Sequence, residues 1–265
     1  MKRILLHLDA DAQPSAFDRI VALDAGADEV LSYGGVTPDG AVALTHGAIF
    51  TRGPEDLKHT AIFVGGSDAE RAEAIAEAVR GAFFGPLRVS VLRDPNGANT
   101  TAAAAVLSVL ADDGFDGPAA VLGLGPVGGR VAALLKERDV AVRTYDPDER
   151  RQGAAESVAD AIAGAAAVFA CGPAGVEVAS LPELAAAGVR VAVDLNAVPP
   201  AGVTGIESHD RAEDRDGVRC YGALAVGGLK MKIHRAAVAA LFEANDRDLG
   251  AAEALAIGEG LSRAK

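Results

Sequence analysis

Tryptophan is absent from the sequence, and aromatic residues make up only 4% of it. Half the residues are hydrophobic, so the core has to be filled mostly by Ala, Val, Leu and Ile. That composition suits helices packed on parallel strands, whose buried strands read as aliphatic runs. Cysteine is as scarce. Cys171 and Cys220 give neither a disulfide framework nor a metal-ligand spacing. Basic charge is in deficit, and a formal net charge of -12 argues against a general nucleic-acid or acidic-membrane surface, which needs clustered Lys and Arg. An anionic ligand stays allowed, because a helix N-terminus and a few local cations can hold one. No run of about 18 apolar residues lacks charge, Gly or Pro, so no membrane span is expected. The start, Met1 to Asp9, turns acidic too soon for a secretory signal. A soluble, cytoplasmic protein is the expectation, with neither nucleic acid nor membrane as partner. No metal is expected either: Asp9 and Asp11 have no His or further carboxylate at ligand spacing.

What is present is a strand–helix alternation. The chain has 265 residues, more than one core usually holds. Ile4 to Leu8, Thr60 to Val64 and Leu87 to Leu92 read as strands. Gln13 to Leu23 and Asp68 to Phe83 read as helices, the second with Ile75, Val79 and Phe83 on one face. Turn chemistry from Asp94 to Thr101 marks the sharpest break and leads into a helix from Ala102 to Leu110. Then come a strand ending at Leu122, a glycine-rich loop, a helix from Val127 to Glu137 and a strand from Val140 to Tyr145. Ala166 to Cys171 and Val189 to Val193 are later strands. The segments Lys230 to Asn245 and Ala251 to Leu261 read as helices. The expected class is α/β, with two parallel-sheet domains. Residues 1–101, completed by helices in 230–265, form a substrate domain; residues 102–229 form a Rossmann cofactor domain.

Gly123, Gly125 and Gly128 are spaced G-x-G-x-x-G, after a strand and opening a helix. A dinucleotide site needs that tight turn, close backbone approach to a pyrophosphate, and a helix packed near its strand. Gly123, Leu124, Gly125, Pro126, Val127 and Gly128 are the candidate cofactor loop, and a plain strand–helix turn is the alternative. Asp146, at the end of the next strand, can accept from the adenosine ribose hydroxyls and repel a 2′-phosphate. It can equally cap the turn before Asp148 and Glu149, and Arg150 and Arg151 cut the other way. Cys171, before Gly172-Pro173, is core or a wall of the cofactor site. Three polar clusters point to a substrate site beyond the carboxyl ends of strands. They are Asp9, Asp11, Ser15 and Asp18; Thr51 and Arg52 after Ile49-Phe50, read as a strand end; and Asn96, Asn99, Thr100 and Thr101. Capping by Asp, Asn and Thr accounts for any one of them alone. His234, beside Lys230, Lys232 and Arg235, reads as part of a solvated basic face. Gly227-Gly228-Leu229 before Lys230 lets the backbone run close to a neighbour.

These residues carry a resemblance. Phe17-Asp18, Tyr33-Gly34, Val36-Thr37-Pro38-Asp39, Phe50-Thr51-Arg52-Gly53 and Thr60 to Gly66 resemble stretches of the nicotinamide-dependent methylene-tetrahydromethanopterin dehydrogenases of bacterial C1 metabolism. So do Phe83-Phe84-Gly85-Pro86, Asn96-Gly97, Asn99 to Ala104, Gly125-Pro126-Val127-Gly128, Asn196-Ala197, Pro199-Pro200, and Tyr221-Gly222-Ala223-Leu224 through Lys230. The resemblance implies hydride transfer from the methylene bridge between N5 and N10 of the pterin, leaving a methenyl cation, in one-carbon (formaldehyde oxidation) metabolism. It implies a homo-oligomer, a trimer or hexamer. It places Asp18 by the cationic product, Lys230 on a pterin oxygen, and Phe17, Asp9, Ser15, Thr51, Arg52, Asn96, Asn99, Thr100 and Thr101 around the substrate, with Asn196 by the cofactor. Tyr145-Asp146-Pro147 stands where the NADP-specific branch resembles Gly-Arg-Lys, which favours NAD over NADP. Methylene-tetrahydrofolate is the alternative substrate, and a non-catalytic dinucleotide-binding protein is the alternative class.

Overall fold

The computed structural model describes residues 1–151 and 153–263. The chain divides into two compact units. One comprises Met1–Thr100 and the segment from Lys232 onward; the other is Thr101–Met231.

In the first unit, β1 (Ile4–Asp9), α1 (Ala16–Asp24), β2 (Glu29–Tyr33), α2 (Pro38–Ile49), β3 (Thr60–Gly65), α3 (Ala69–Gly81) and β4 (Ser90–Arg93) alternate, and α4 (Ala98–Leu110) follows. In the second, β5 (Ala119–Leu122), α5 (Pro126–Lys136), β6 (Val142–Tyr145), α6 (Val158–Ile162), β7 (Ala167–Ala170), β8 (Ala179–Ser180), α7 (Leu181–Ala186), β9 (Val191–Asp194), β10 (Val203–Thr204), β11 (Arg211–Arg215) and β12 (Val218–Tyr221) lead to α8 (Ala223–Ala240). Then β13 (Asp248–Leu249) and α9 (Ala251–Arg263) complete the first unit.

The first sheet has the order β13-β4-β3-β1-β2 and is parallel throughout. Its central strands β1 and β3 are buried on both faces, as the aliphatic runs require. Leu6, Leu8, Ile62 and Val64 pack with α2 and α3 on one face. Leu5, Ala61, Phe63 and Leu92 pack with α1, α9 and the later part of α8 on the other. The second sheet, β11-β12-β9-β7-β5-β6, is parallel except for the β11–β12 hairpin; β8 and β10 pair separately. The fold is α/β with two parallel sheets.

Several elements differ from the sequence reading. α1 begins at Ala16, capped by the Ser15 side chain, so Pro14 precedes it. Residues 38–49 form α2, whose N-cap Thr37 accepts from the Gly40 N–H with Pro38 in the first turn. Ile49-Phe50 is therefore a helix end and not a strand. α8 starts at Ala223, so Gly227, Gly228 and Lys230 lie within a helix. A Cβ on Gly227 would meet nothing within 4 Å, and one on Gly228 only Arg211 Nη2 at 3.9 Å; no close neighbour in the chain calls for either glycine.

Candidate functional site

Each sheet has one place where the chain reverses its direction of winding. From β1 the chain goes to β2 on one side and returns to β3 on the other; from β5 it goes to β6 and returns to β7. Ligands of open α/β sheets bind beyond the carboxyl ends of strands at such points.

In the second unit the loop after β5 lies there. Gly123 has φ +94, and a Cβ on it would sit 2.7 Å from the Cys171 carbonyl, at the end of β7. A Cβ on Gly128 would fall 1.8 Å from the Gly123 carbonyl oxygen. These two glycines are demanded by the turn itself and by the helix packed on it. Gly125 is different: a Cβ there would meet only Arg151 Nη1, at 3.6 Å. Gly125 is also the N-cap of α5, with no side-chain cap and with Pro126 in the first turn. The first N–H groups of α5 are left for something other than a side chain, as an anion would require. This open cradle above Gly125 fits a dinucleotide pyrophosphate.

The neighbours of the loop are specific. Asp146 accepts at Oδ2 from Leu124 N at 2.6 Å and from Arg151 Nη1 at 3.2 Å, and at Oδ1 from Asp148 N at 2.8 Å. Burial works to raise its pKa, but the Leu124 and Asp148 N–H groups and Arg151 together hold it below the ordinary carboxylate value. Arg150 pairs instead with Asp148. Burial, helped by the Asp194 carboxylate, pushes the Cys171 thiol up to about 12. The thiol is therefore held protonated near neutral pH. Gly172 is packed by Val178. Asn196 is occupied by its own loop: Oδ1 accepts from Val198 N and Nδ2 donates to the Pro200 carbonyl.

In the first unit the last layer of one sheet face is Asp9, Gly65 and Asp94, above His7, Phe63 and Leu92. Asp9 is 1% and Asp94 0% exposed. Each carboxylate organises the chain that follows it. Asp9 accepts from Asp11 N at 2.8 Å and Ser15 N at 2.9 Å, and Ser15 in turn caps α1 by accepting from Asp18 N at 3.2 Å. Asp94 accepts from Asn99 N at 2.8 Å, Thr100 N at 3.1 Å and the Thr100 hydroxyl at 2.6 Å. Each also has a buried imidazole near its Oδ2, His7 Nε2 at 3.3 Å and His234 Nδ1 at 4.0 Å. Phe63 lies between the two imidazoles. Its ring meets His7 edge-on at 5.3 Å and stacks on His234 at 5.7 Å. Phe17, 48% exposed, tilts over His234 at 6.3 Å.

Gly65 opens a notch in this layer. A Cβ there would lie 3.0 Å from Phe63 Cε1, 3.2 Å from His7 Nε2 and 3.7 Å from Asp18 Oδ2. The structure thus brings Asp9, Ser15, Phe17 and Asp18 to one end of the sheet, with Asn99 and Thr100 held around Asp94 at the same end. Asn96 is exposed nearby with φ 51. Thr101 is half-buried on α4, and Lys230 is half-buried on α8, one helical turn before His234.

Three readings are corrected. Arg52 donates to the His59 and Lys2 carbonyls and to the Thr60 hydroxyl, and Thr51 donates to the Ala48 carbonyl. Both therefore lie by the amino ends of β1 and β3, the opposite end from Asp9 and Asp18, because they follow a helix and not a strand. His234 is fully buried, since it continues the face of α8 that buries Ile233, Ala237, Val238 and Leu241. The Thr100 hydroxyl is spent on Asp94 and is 0% exposed. His7 was not singled out by its sequence. The signal was its place in a strand buried on both faces, where no alternate position reaches solvent. Among the described residues no group of three or more His, Cys, Asp or Glu could hold a metal ion, and no helix is long and apolar enough to cross a membrane.

Comparison with known proteins adds a whole-chain view. Residues 16–96 match the family described as methylene-tetrahydromethanopterin dehydrogenase, N-terminal. The chain is 40% identical over 272 residues to the bifunctional protein MdtA of Methylorubrum extorquens, covering 92% of this chain and 94% of that one. It is 32% identical over 266 residues to the NAD(P)-dependent methylenetetrahydromethanopterin dehydrogenase of the same organism, covering 87% and 89%. Among solved structures, a 2-hydroxyacid dehydrogenase of Ketogulonicigenium vulgare Y25 superposes with a TM-score of 0.38 at 16% identity, covering 92% of this chain and 94% of that one.

Proposed function

Because the chain belongs to the methylene-tetrahydromethanopterin dehydrogenase family, we propose that it removes a hydride from the methylene group bridging N5 and N10 of a tetrahydromethanopterin-type carrier, leaving the methenyl cation. A nicotinamide dinucleotide, when bound, accepts that hydride, and NAD is assigned over NADP. The observation that carries the reading is the end-to-end similarity to the NAD(P)-dependent relative, and the open, uncapped N-terminus of α5 behind Gly125 supports the cofactor half of it.

The chemistry asks for positioning and charge stabilisation more than for proton transfer. Leaving hydride spreads positive charge over two nitrogens. Asp18 supplies a carboxylate to face that charge, from the first turn of α1. Lys230 holds an oxygen of the pterin and orients the ring. Phe17, exposed beside Asp18, offers an apolar face to the same substrate. The backbone N–H groups of Gly125, Val127 and Gly128 would receive the pyrophosphate, since Pro126 has none and those of Gly123 and Leu124 are bonded to the Tyr145 carbonyl and to Asp146; Asp146 would meet the adenosine ribose.

The same reading assigns a homo-oligomer, a trimer or hexamer, in the cytoplasm. Exposed Ile20 and Leu23 on α1 and Leu31 and Tyr33 on β2 support association, and two free cysteines suit a reducing compartment. Light scattering of the purified chain reads the oligomer directly.

The test is spectrophotometric. Methylene-tetrahydromethanopterin and methylene-tetrahydrofolate are crossed against NAD and NADP, and reduced nicotinamide is followed. Absence of turnover in every combination overturns the reading. Asp18→Ala and Lys230→Ala are each expected to lower kcat and kcat/KM together, by about tenfold or more, with cofactor affinity kept.

A further inference from the structure

His7 has no part in the reaction as assigned above. Its imidazole is 1% exposed, on a strand buried on both faces. Its Nδ1 has no hydrogen-bond partner, and its Nε2 approaches Asp9 Oδ2 at 3.3 Å as an electrostatic contact, not a well-aligned hydrogen bond. Leaving a buried polar atom unsatisfied costs roughly 1–3 kcal/mol. A Phe or Leu would fill the same place without that cost, so packing alone does not account for an imidazole here.

Two routes run from His7 to Asp18. The first passes through Asp9. The carboxylate that faces Nε2 also receives Asp11 N and Ser15 N, and Ser15 caps the helix by accepting from Asp18 N. The second crosses the notch at Gly65, where one point lies 3.2 Å from His7 Nε2 and 3.7 Å from Asp18 Oδ2. Among the described residues, Asp9 on β1 and Asp18 on α1 face this space, with His234 on α8 beyond the Phe63 ring.

We propose that His7 is a positioning residue: its imidazole fixes the Asp9 carboxylate, and through the Asp9–Ser15 turn holds the first turn of α1 so that Asp18 stays at the Gly65 notch. The proposal rests on the assignment of Asp18 to the reaction. It predicts a local effect. A residue that only fills the core would loosen the whole unit when replaced, whereas loss of a brace loosens residues 11–18 and misplaces one carboxylate. Misplacement by about 1 Å can cost a rate on the order of 100-fold.

The experiment compares His7→Phe and His7→Gln by amide hydrogen exchange, by kcat and KM for the methylene carrier, and by cofactor affinity. In His7→Phe, exchange is expected to quicken at Asp11, Ser15 and Asp18 but not along β3 and β4. The same variant should lose about tenfold or more in kcat and keep its cofactor affinity. His7→Gln, whose side-chain nitrogen reaches as far as Nε2, should recover most of both losses. Unchanged kcat in His7→Phe overturns the proposal. So does faster exchange spread evenly over the unit, or Gln performing no better than Phe. Should His7→Phe fail to fold, Gly65→Ala perturbs the same contact from the other side, and unaltered exchange at residues 11–18 in that variant overturns it equally. If the unmodified chain turns over no methylene carrier, the assigned activity falls, and the exchange pattern still decides what His7 does.

Discussion

The Oδ2 atom of Asp146 receives the backbone N–H of Leu124 at 2.6 Å, so the carboxylate at the end of β6 is tied to the glycine-rich loop after β5. Arg151 reaches the same oxygen at 3.2 Å. One acid thus braces the loop and faces the place assigned to the adenosine ribose, while a guanidinium stands beside both.

Cofactor preference follows from that pair. Two unit charges about 4 Å apart repel by roughly 4 kcal/mol at an effective dielectric near 20, and Arg151 offsets part of that for a 2′-phosphate. The unmodified chain is expected to give a higher kcat/KM with NAD than with NADP. Asp146→Ser removes the repulsion and frees Arg151, so the ratio should move toward NADP; Arg151→Ala should move it further toward NAD. The measurement is kcat/KM for both cofactors in all three proteins. A wild-type ratio favouring NADP would assign the choice to Arg151.

Gly125 and Gly128 should fail in different ways when replaced. Gly128→Ala puts a methyl 1.8 Å from the Gly123 carbonyl oxygen, and backbone cannot yield as a side chain can. It should lower Tm and lose the second unit's cooperative unfolding. Gly125→Ala finds only Arg151 Nη1, at 3.6 Å, so its fold should survive while the cofactor loses close approach to the backbone. Calorimetric affinity and thermal unfolding, measured on both, separate the two. Equal effects on Tm would mean that the space above Gly125 is not a binding cradle.

Acid should weaken the first unit through His7. Burial holds its pKa below the ordinary 6.5, against the pull of the Asp9 carboxylate. The unfolded chain therefore takes up this proton first as pH falls. Stability is at its full value above about 6.5 and declines below it, until the folded imidazole also titrates. Denaturant midpoints between about pH 7 and 5 should fall in the unmodified chain, and fall less in His7→Gln, which has no such proton to bind.

Much of this was legible in the residues. The loop Gly123 to Gly128 could be read because Gly123 and Gly128 answer steric demands at a fixed spacing, while Gly125 leaves open space between them. The Asp9-to-Asp18 and Asn96-to-Thr100 clusters could be read because buried strands ended cleanly before them. Arg52 went astray for a physical reason: Ile49-Phe50 is too short an apolar run to tell a strand end from a helix end. The stronger signal was upstream, in Thr37-Pro38, an N-cap followed by proline. The charged neighbours Lys232 and Arg235 point His234 toward solvent, whereas its burial follows the stripe of Ile233, Ala237 and Leu241. The Asp94–His234 pair lies beyond any local pattern, since its two members are far apart in sequence, whereas His7 and Asp9 are neighbours on β1.

The first unit is built from two stretches separated by the whole of the second. Its sheet takes β13 from the later stretch, beside β4, and its core takes Ala237, Leu241, Phe242 and Leu249 from there. During synthesis on a ribosome, β1 to β4 emerge with one face of their sheet lacking these partners. The second unit, continuous from Thr101 to Met231, emerges next and can close on local contacts. The first unit therefore begins first and finishes last. Through that interval the face holding His7 and Phe63 lacks α9 and the later part of α8, which makes it the surface a chaperone would meet.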